Sequence, residues 1–462
     1  MLHQLVLRVD ALVAEIGSTT TLVSAFDGLG AVPRFIGQGM APTTAIEGDV
    51  TLGLHAAIED LKTALGVPEL SWGRMYAASS AAGGLSMSVH GLVYEMTARA
   101  ARMAALGAGA VVRQVTAGKL GEYELKALAA LRPNLILLAG GTDYGDRETA
   151  VHNAKMVAGL RLDIPVIYAG NCAAADEVAA IFNAAGQPLS VIDNVYPRLD
   201  ELNIEPARRA IQDLFEIHIV KAPGMSRVKE LVDGAILPTP GAVMEAVRLL
   251  HPVLGDLLAV VVGGATTDVH SAAELSEAIA RIQDQPEPFF KRTVEGDLGT
   301  YISAKGLSAQ AGLARLDREL NLDTRAMLEE WPPIPQTASQ QALAARLARE
   351  AGSLAINRHA GRLRRVHLPE GTRQYAEGKD LSQARTLIAT GGALTRLEGR
   401  AEALKHLRDL NGTGLMLYPE PGILRILVDS GYLMAALGVL SREHPQAALH
   451  LLLDSLKEED DA

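Results

Sequence analysis

The sequence contains few cysteines, few aromatic residues and no excess of positive charge, and each shortage excludes a class of protein. Its single cysteine, Cys172, cannot form a disulfide within the chain, which favours a reducing, cytoplasmic location. Aromatic residues make up 4% of the 462 residues, and the net charge of −11 argues against a nucleic-acid-binding protein. Cys172 follows an apolar run and is predicted to be buried and inert, the alternative being a thiol nucleophile.

Three further patterns are missing. No apolar run reaches the roughly 20 residues that span a bilayer, so no membrane partner is expected. The first residues lack the charged, apolar and small-residue regions of a signal peptide, in keeping with a cytoplasmic location. No GxGxxG pattern is followed by an acidic residue at the usual distance, so a dinucleotide-binding fold is not supported.

Residues 260–271, VVVGGATTDVHS, contain the residue types that suit a phosphate. The apolar run at 257–262 predicts a buried strand, and the two glycines at 263–264 allow a tight turn close to a ligand. Residues 265–267 offer amides and hydroxyls to phosphate oxygens, and Asp268 is a hard oxygen ligand for magnesium. An ordinary Gly-Gly hairpin turn is an equally good interpretation of this stretch alone.

A second copy of this pattern lies at residues 11–26, ALVAEIGSTTTLVSAF. Placing Gly17 on Gly264 aligns Ser18-Thr19-Thr20 with residues 265–267. The two copies lie much farther apart than the ~20–50-residue period of a solenoid, which indicates two related halves. Two phosphate-type turns in two such halves would face each other across a cleft.

The surroundings of the first copy predict one half of a ribonuclease-H-like unit. Residues 11–40 predict three short antiparallel strands, followed by a helix at 47–65 and a strand at 75–79. A third small turn, Gly391-Gly392, follows a predicted buried strand at 386–390 and would let an adenosine lie against the backbone. A plain strand-to-helix turn is the alternative.

Between the two copies, strands and helices alternate with short links, which is typical of a parallel sheet. A Gly-Gly-Thr-Asp loop at 140–143 either binds an anion at the next helix or is a plain strand-to-helix turn. The basic stretch at 358–367 is expected to be a solvated face of a long helix at 340–365. We predict an α/β fold of four segments: a first ribonuclease-H-like half (1–94), an inserted parallel α/β domain (95–235), a second half (236–400) and C-terminal helices that close the fold (401–462).

Together, the three turns resemble the nucleotide site of the actin, heat-shock-chaperone and sugar-kinase superfamily. EIGSTTT (15–21) resembles its first phosphate loop, GGATTD (263–268) its second and LIATGG (387–392) its adenosine loop. Almost the whole chain is also similar to the glutamate (methylaspartate) mutase accessory family, labelled MutL and also found beside ornithine aminomutase. The segments that carry this similarity are AEIGSTTTLVSAFDG, LILLAGGTDYGD, VVGGATTDVHS, KRTVEGDLG and LVDSGYLMAALGVLS.

The resemblance implies an ATP-dependent reactivating chaperone, with weak ATPase activity, for an adenosylcobalamin-dependent amino-acid mutase. Such a factor would open the mutase so that a damaged cobalamin can leave. Mutase subunits would be the partners, and a homo-oligomer is compatible with the sequence. The phosphate-binding residues implied by the resemblance are Gly17, Ser18, Thr19 and Thr20 on one side and Gly263, Gly264, Ala265, Thr266 and Thr267 on the other. Gly391 and Gly392 would pack against adenosine, and Glu15 and Asp268 would organise Mg²⁺ and its waters.

Two positions depart from the superfamily's pattern. Its first loop usually begins with aspartate, where this chain has Glu15, and its second loop usually has an acid where this chain has Val261. The second departure removes a ligand of magnesium-bound water, so ATP binding is better supported than ATP hydrolysis. Slow turnover suits a conformational switch. The cobalamin-binding pattern Asp-x-His-x-x-Gly is absent around His270, which we expect to be a structural histidine.

Two alternatives remain open from the sequence. A small-molecule kinase of the same fold would need a general base, for which Asp143, Glu295 and Asp297 are candidates. A nucleotide-gated scaffold without hydrolysis would account for Val261.

Overall fold

The computed structural model describes residues 6–44, 48–80, 85–108, 110–221, 225, 227–368 and 371–459. The chain divides into two compact units. The first unit comprises Met1–Ala81, Pro223–Gln285 and Phe289–Ala462, and the second comprises Ala82–Ala222 with Pro286–Pro288. The insertion predicted at 95–235 overlaps the second unit.

The first unit begins with the predicted antiparallel strands and helix. Its elements are β1 (Val6–Ile16), β2 (Thr20–Asp27), β3 (Arg34–Pro42), α1 (Val50–Leu65) and β4 (Glu69–Ser79). Helix α1 is held at its start by Asp49, which accepts a hydrogen bond from the Thr51 amide, and ends at Gly66 with a φ of 65°. Its buried face carries Leu54, Ala57, Ile58 and Leu61 at helical spacing. Glu47, the predicted start of this helix, lies outside the described residues.

The second unit alternates strands and helices. Its elements are β5 (Leu85–Gly91), a π-helical turn (Tyr94–Ala98), α2 (Arg99–Gly107), β6 (Ala110–Ala117), α3 (Glu122–Leu131), β7 (Leu135–Leu138), α4 (Glu148–Gly159), β8 (Val166–Tyr168), α5 (Ala175–Ala185), β9 (Leu189–Val191) and α6 (Glu205–Lys221). The strands form one parallel sheet in the order β6-β5-β7-β8-β9, which confirms the predicted parallel α/β architecture.

Two features of the second unit differ from the sequence-based expectation. Strand β5 was not anticipated, because Ser88 and His90 interrupt its apolar pattern; the two side chains are buried and hydrogen-bond each other, which satisfies their polar atoms. Cys172, predicted to be buried, is exposed. The preceding Asn171 takes the buried position instead, and its side chain accepts a hydrogen bond from the Ala173 amide.

The rest of the first unit follows the second unit along the chain. Its elements are α7 (Val228–Leu231), β10 (Leu237–Pro238), α8 (Thr239–Leu254), β11 (Leu257–Val262), β12 (Thr267–Ala272), α9 (Glu277–Ala280), β13 (Phe290–Glu295), α10 (Ala304–Ala311), α11 (Leu313–Leu320), α12 (Thr324–Met327), α13 (Ala338–His359), β14 (Arg362–Leu368), β15 (Gly371–Glu377), β16 (Thr386–Thr390), α14 (Gly392–Thr395), α15 (Arg400–Arg408), β17 (Arg425–Asp429), α16 (Met434–Leu440), α17 (Pro445–Ser455) and β18 (Leu456–Glu458).

The expectation that residues 358–367 continue a long helix was wrong. Helix α13 ends at His359, and the basic residues that follow form β14, which pairs with β15 in an antiparallel hairpin. Gly361 makes the change of direction possible, because a Cβ at this position would lie 2.6 Å from the Glu377 carbonyl oxygen. Segment 401–462 also contributes strands β17 and β18 to a sheet.

The two sheets of the first unit have the same strand order and strand directions. In the first sheet, β1 pairs antiparallel with β2, β2 antiparallel with β3, β1 parallel with β4, and β4 parallel with β10. In the second sheet, β11, β12, β13, β16 and β17 occupy the equivalent places, with β18 added antiparallel at one edge. The predicted duplicated ribonuclease-H-like fold is therefore confirmed.

The core of the first unit is a helical layer that contacts both sheets. Apolar residues of α8 and α16 share one buried cluster with β1 and β4 of the first sheet and with β11 and β16 of the second. Helix α13 packs into a second cluster on the other face of the second sheet. Among the described residues, no helix is both long enough and apolar enough to cross a membrane.

Candidate functional site

The two glycine turns predicted to bind phosphate have the same backbone hydrogen bond. The Gly17 amide donates to the Thr20 carbonyl over 2.9 Å, and the Gly263 amide donates to the Thr266 carbonyl over the same distance. The strands on either side pair in the same register, with Ile16 opposite Thr21 and Val262 opposite Thr267.

This geometry corrects the sequence alignment of the two copies by one residue. Gly17 corresponds to Gly263, not to Gly264, because the first glycine of each turn donates the closing hydrogen bond. Glu15 consequently corresponds to Val261, and Asp268 corresponds to Leu22 rather than to an acid. The Gly-Gly pair in one copy permits two alignments, and only the hydrogen-bond pattern distinguishes them.

The tips of the two turns lie against each other. A Cβ built on Gly264 would be 3.6 Å from both the Cγ2 and the Oγ1 atoms of Thr19. Each turn is supported from behind: the Thr43 amide donates to the Thr19 carbonyl over 2.9 Å, and the Tyr301 amide donates to the Gly264 carbonyl over 2.8 Å. The turns are thus brought together, as predicted.

The threonines of the two turns divide into two structural groups. Thr21 and Thr267 are fully buried, and their hydroxyls bond to Thr43 and to the Leu298 carbonyl respectively. Thr20 and Thr266, by contrast, are partly exposed. The hydroxyl of Thr267, one of the predicted phosphate ligands, is therefore used to fix the loop that follows β13, and the partly exposed residues are the ones accessible to a ligand.

The third turn packs directly on the second sheet. Gly391 has a φ of 87°, and a Cβ at this position would lie 2.5 Å from the Val262 carbonyl oxygen. Only glycine permits this close approach of two backbones. Gly392 is exposed, with open space where its Cβ would be. The strand-to-helix turn predicted at 391–392 therefore presents an unobstructed backbone surface beside β11.

Glu15 lies at the end of β1, buried among residues from the second half of the unit. The Tyr432 hydroxyl donates to Glu15 Oε1 over 3.4 Å. Burial, together with the nearby negative charge of Asp429, raises the pKa of Glu15 to about 7. Tyr432 and Arg396 oppose this rise. Glu15 is therefore poised to exchange a proton near neutral pH.

Asp429, which the sequence analysis did not assign to the site, fixes this arrangement. Its fully buried carboxylate accepts hydrogen bonds from the Thr390 hydroxyl and from the Leu433 and Met434 amides. These bonds hold the turn in which Tyr432 has a φ of 52°. Asp429 ends an apolar strand, as Glu15 does, and this shared position is the sequence signal that could have identified it.

Arg396 is a second residue that the sequence analysis missed. It follows the third turn, and its guanidinium donates to Gln38 Oε1 over 2.9 Å. The same group lies 5.6 Å from the centre of the Tyr432 ring. Arg396 therefore connects the third turn with the first sheet. Nothing in the local sequence around a single arginine indicates a contact with a residue more than 350 positions away.

Asp268 lies on β12 beside the second turn and is buried. Burial raises its pKa to about 7, although Arg292 and the Thr266 hydroxyl favour the charged form. Its Oδ1 atom is buried and has no hydrogen-bond partner among the described residues. His270, two positions along the strand, is fully buried, and desolvation keeps its pKa well below the usual value. His270 is thus a neutral residue of the strand, as expected.

The unpartnered oxygen of Asp268 has the chemistry of a magnesium ligand, because magnesium prefers carboxylate oxygens. The described residues include no group of three or more His, Cys, Asp or Glu side chains placed to hold a metal. Magnesium does not require such a group, because it commonly binds through one or two carboxylates, several waters and the oxygens of a phosphate. Glu15 and Asp268 would be the carboxylates at this site, and the bound ion would neutralise phosphate charge.

The loop after β13 packs against the second turn. Arg358, at the end of α13, donates to Glu295 Oε2 over 2.7 Å and to both carboxylate oxygens of Asp297 over 2.8 and 2.9 Å. A Cβ on Gly299, in the same loop, would lie 2.4 Å from the Ala265 carbonyl. The acidic residues of this loop, which the sequence left as either functional or solvated, therefore fix its conformation.

A duplicated ribonuclease-H-like fold with two adjacent glycine turns and a third beside them is the architecture that the resemblance to the actin, heat-shock-chaperone and sugar-kinase superfamily predicts. The model of the MutL protein family matches residues 11–456 of the chain. Protein MutL of Clostridium tetanomorphum is 37% identical over 460 residues, covering 96% of this chain and 98% of the relative. The chain belongs to the MutL protein family.

The solved structures to which the chain is similar share little sequence with it. Diol dehydratase-reactivating factor in its nucleotide-free form has a TM-score of 0.37 at 12% identity, covering 94% of this chain and 100% of that one. Component A of the Acidaminococcus fermentans (R)-2-hydroxyglutaryl-CoA dehydratase has a TM-score of 0.34 at 9% identity, covering 95% and 99%. Likenesses of this size carry no information about function.

Proposed function

We propose that this protein is an ATP-dependent accessory protein that reactivates an adenosylcobalamin-dependent amino-acid mutase of the glutamate mutase or ornithine aminomutase type. ATP binds with Mg²⁺ at the three glycine turns of the first unit. Release of a damaged cobalamin from the mutase is coupled to the nucleotide state of this site. Membership of the MutL family and the resemblance of the motifs to the mutase accessory family support the choice of partner.

The observation that supports the nucleotide site most strongly is the close approach of two turns with the same closing hydrogen bond, at Thr19 and Gly264. The residues of both turns are exposed or partly exposed, and backbone amides at the tip of such a turn can bind phosphate oxygens. The exposed face of Gly392 lies beside β11 and leaves room for the adenosine. The two halves of the unit thus hold different parts of one nucleotide, so that the nucleotide favours a closed arrangement of the halves.

Hydrolysis at this site is slow. The second half has Val261 at the place where the first half has Glu15, so only one of the two equivalent positions carries an acid. The slow step suits a switch that must persist while a partner is opened.

A small-molecule kinase is less well supported. Two of its candidate bases, Glu295 and Asp297, are bound by Arg358. The hydrogen bonds from Arg358 hold the pKa of Asp297 below its usual value, which makes this carboxylate a weaker base. The third candidate, Asp143, belongs to the second unit and accepts hydrogen bonds from the Cys172 amide and the Asn194 side chain.

The test is a reactivation assay with a glutamate mutase that has lost activity during turnover. The chain, ATP, Mg²⁺ and fresh adenosylcobalamin are expected to restore activity, and omission of ATP is expected to abolish the recovery. Gly392→Val fills the adenosine space and should block recovery without unfolding the protein, because no atom outside its own helix and its chain neighbours lies within 4 Å of the new Cβ.

Gly412→Val is the matched control, because Gly412 is also exposed and has open space at its Cβ but lies outside the proposed site. It should reactivate the mutase as the unsubstituted chain does. Recovery that is independent of nucleotide, or no recovery with any of the chains, would contradict the proposed function.

A further inference from the structure

The second unit has an uneven distribution of exposed apolar side chains. We call the loops after the carboxyl ends of its five parallel strands, with the first turn of each following helix, the carboxyl edge. All six large exposed hydrophobic residues that the structure describes in this unit lie at this edge or at the strand end that enters it: Val93, Tyr94, Tyr123, Tyr144, Val191 and Leu199. Tyr144, Tyr123 and Leu199 are 86%, 82% and 71% exposed.

This concentration is unusual for the chain. Aromatic residues make up only 4% of the sequence, yet three exposed tyrosines lie at one edge of one sheet. Tyrosine is enriched at protein interfaces, because it supplies a large apolar area and a polar group at a low cost in side-chain entropy. With neighbouring strands about 4.8 Å apart, five strands make an edge on the order of 20 Å wide, which suits a protein partner.

The loops of the carboxyl edge are fixed to one another. The Gly118 amide donates to the Gly91 carbonyl over 2.9 Å, which joins the loops after β6 and β5. The Asp143 amide donates to the Pro197 carbonyl over 2.9 Å, which joins the loops after β7 and β9. A surface fixed in this way loses little conformational entropy when it binds.

Two of the exposed side chains are displayed on strained turns. Tyr144 has a φ of 62°, and its amide is held by Asn171 Oδ1 at 2.9 Å. Leu199 precedes Asp200, whose φ is 59° and whose amide donates to the Tyr196 hydroxyl over 3.0 Å. Strain of this kind persists only where surrounding contacts impose it, and it is concentrated at functional positions.

The carboxyl edge is closely packed at the place where a parallel sheet of this strand order binds small molecules. Such ligands occupy the crevice at the ends of the first and third strands of the sheet, here β5 and β7. A Cβ on Gly141, after β7, would lie 3.1 Å from a Leu92 methyl, and one on Gly140 would lie 3.2 Å from Ala150. Leu92 and Ala150 therefore pack closely against this loop, which reduces the space for a small ligand and favours a macromolecular partner.

The charge of the carboxyl edge specifies the partner further. Its exposed acidic side chains outnumber its exposed basic ones by nine to four: Glu95, Glu122, Asp146, Glu148, Asp176, Glu177, Asp193, Asp200 and Glu201 against Arg102, Lys119, Arg147 and Arg198. Lys119, Arg147 and Arg198 pair with acids of the same edge, at 3.5 to 3.8 Å. The remaining acids give the edge a negative potential, which complements a basic surface.

We infer that the carboxyl edge of the second unit is the surface that docks the mutase, through a face of the mutase on which apolar residues are flanked by lysine and arginine. This inference rests on the proposed function for the identity of the partner. The tyrosines and Leu199 supply the apolar contacts, and the surrounding acids steer the encounter. The nucleotide site belongs to the first unit, so nucleotide binding and docking use different residues.

The inference is tested by measuring the affinity of purified mutase subunits for the full-length chain and its variants. Tyr144→Asn with Leu199→Ser removes two exposed side chains, and asparagine tolerates the left-handed backbone at position 144. This variant should bind the mutase at least tenfold more weakly and bind ATP as before. Tyr123→Ser, at the start of α3, is an independent variant that should weaken binding in the same direction.

Val32→Ser is the matched control, since Val32 is 69% exposed and lies in the first unit. It should leave mutase binding unchanged. Asp193→Asn with Asp200→Asn should slow association and reduce its dependence on salt.

The outcomes separate this inference from the proposed function. If the unsubstituted chain binds the mutase and the edge variants bind it equally well, the docking surface is elsewhere and the inference is overturned. If the unsubstituted chain does not bind the mutase under any nucleotide condition, the proposed function fails, and the partner named here is wrong as well. Weaker binding by the edge variants, with Val32→Ser unaffected, supports the inference.

Discussion

The two halves of the first unit contain turns with the same backbone hydrogen bond, but their acidic side chains lie at different positions. Both turns close with a 2.9 Å hydrogen bond from the first glycine amide to the residue three positions later. The first half places its acid, Glu15, on the strand before the turn, and the second half places its acid, Asp268, on the strand after it. The backbone that would bind phosphate is the same in the two halves, whereas the side chains that we propose for magnesium and its waters differ.

The halves also differ in what lies beside each turn. In the second half, Thr390 pairs with Val261 on the neighbouring strand, and Gly391 is the next residue. In the first half, the residue at the position of Gly391 is Ser79, which pairs with Ile16. A glycine with a φ of 87° in one half thus replaces a serine in the other. The half with the glycine would hold the adenosine, and the half with the serine would not.

The largest effect on stability is expected when Gly391 of the second half is replaced by serine, the residue that the first half has at the equivalent position. Gly391→Ser puts a Cβ 2.5 Å from the Val262 carbonyl oxygen, in a backbone conformation that side chains rarely adopt. We expect the free energy of unfolding to fall by about 3 kcal/mol or more, and ATP binding to be lost. Chemical denaturation and a nucleotide titration measure the two effects. Gly392→Ala should change neither stability nor fold. If Gly391→Ser and Gly392→Ala are equally stable, the conformation of Gly391 does not distinguish the two halves.

The two acids should make stability depend on pH. The folded-state pKa is about 7 for both Glu15 and Asp268, above ordinary values of 4.5 and 3.8. The folded state therefore holds these protons more tightly than the unfolded state does, and this contribution is complete below the ordinary pKa and is lost as the pH rises through 7. In the absence of nucleotide and magnesium, each group should lower the free energy of unfolding by about 3 kcal/mol between pH 4 and pH 8.

Denaturation curves at several pH values measure this dependence. Glu15→Gln and Asp268→Asn cannot ionise at these positions, so each variant should lose less stability than the unsubstituted chain as the pH rises. Identical pH dependence for the unsubstituted chain and both variants would show that the two carboxyls ionise normally in the folded protein.

Restoring the missing acid should increase hydrolysis. Val261 is only partly buried, so Val261→Glu can place a carboxylate at the position that corresponds to Glu15. We expect phosphate release to rise about tenfold, because a further oxygen can orient the attacking water. Val261→Gln, which has the same shape without the charge, should give a much smaller change. An unchanged rate for Val261→Glu would mean that the absence of this acid does not limit turnover.

The smallest effect on ATP binding is expected at Arg358. Its ion pairs with Glu295 and Asp297 fix the loop after β13, which supports only the second turn. Arg358→Ala should weaken ATP binding about threefold, because a partly exposed ion pair contributes roughly 0.5–1 kcal/mol. Arg281→Ala breaks an exposed pair with Glu277 away from the site and is the control. If both variants bind ATP equally well, the clamp does not position the turn.

The sequence predicted those features that depend on local pattern. Apolar strands ending in small residues identified the three turns, and the alternation of strands and helices identified the parallel sheet of the second unit. The prediction failed where a local pattern had two solutions, as at Gly263 and Gly264, or where polar residues were satisfied inside a strand, as at Ser88 and His90.

The surroundings of Glu15 could not be predicted, for a physical reason. Asp429, Tyr432 and Arg396 reach Glu15 only because α8 and α16 pack between the two sheets. A contact that depends on the packing of distant layers leaves no trace in the spacing of neighbouring residues. The same is true of Cys172, whose exposure is decided by the burial of the adjacent Asn171.

A calorimetric titration of the purified chain with ATP and Mg²⁺, followed by measurement of phosphate release in the same sample, tests the nucleotide site most directly. We expect micromolar binding to one site, slow release, and loss of binding in Gly392→Val but not in Gly412→Val. If the unsubstituted chain does not bind ATP, or if Gly392→Val binds it equally well, the three glycine turns do not form a nucleotide site.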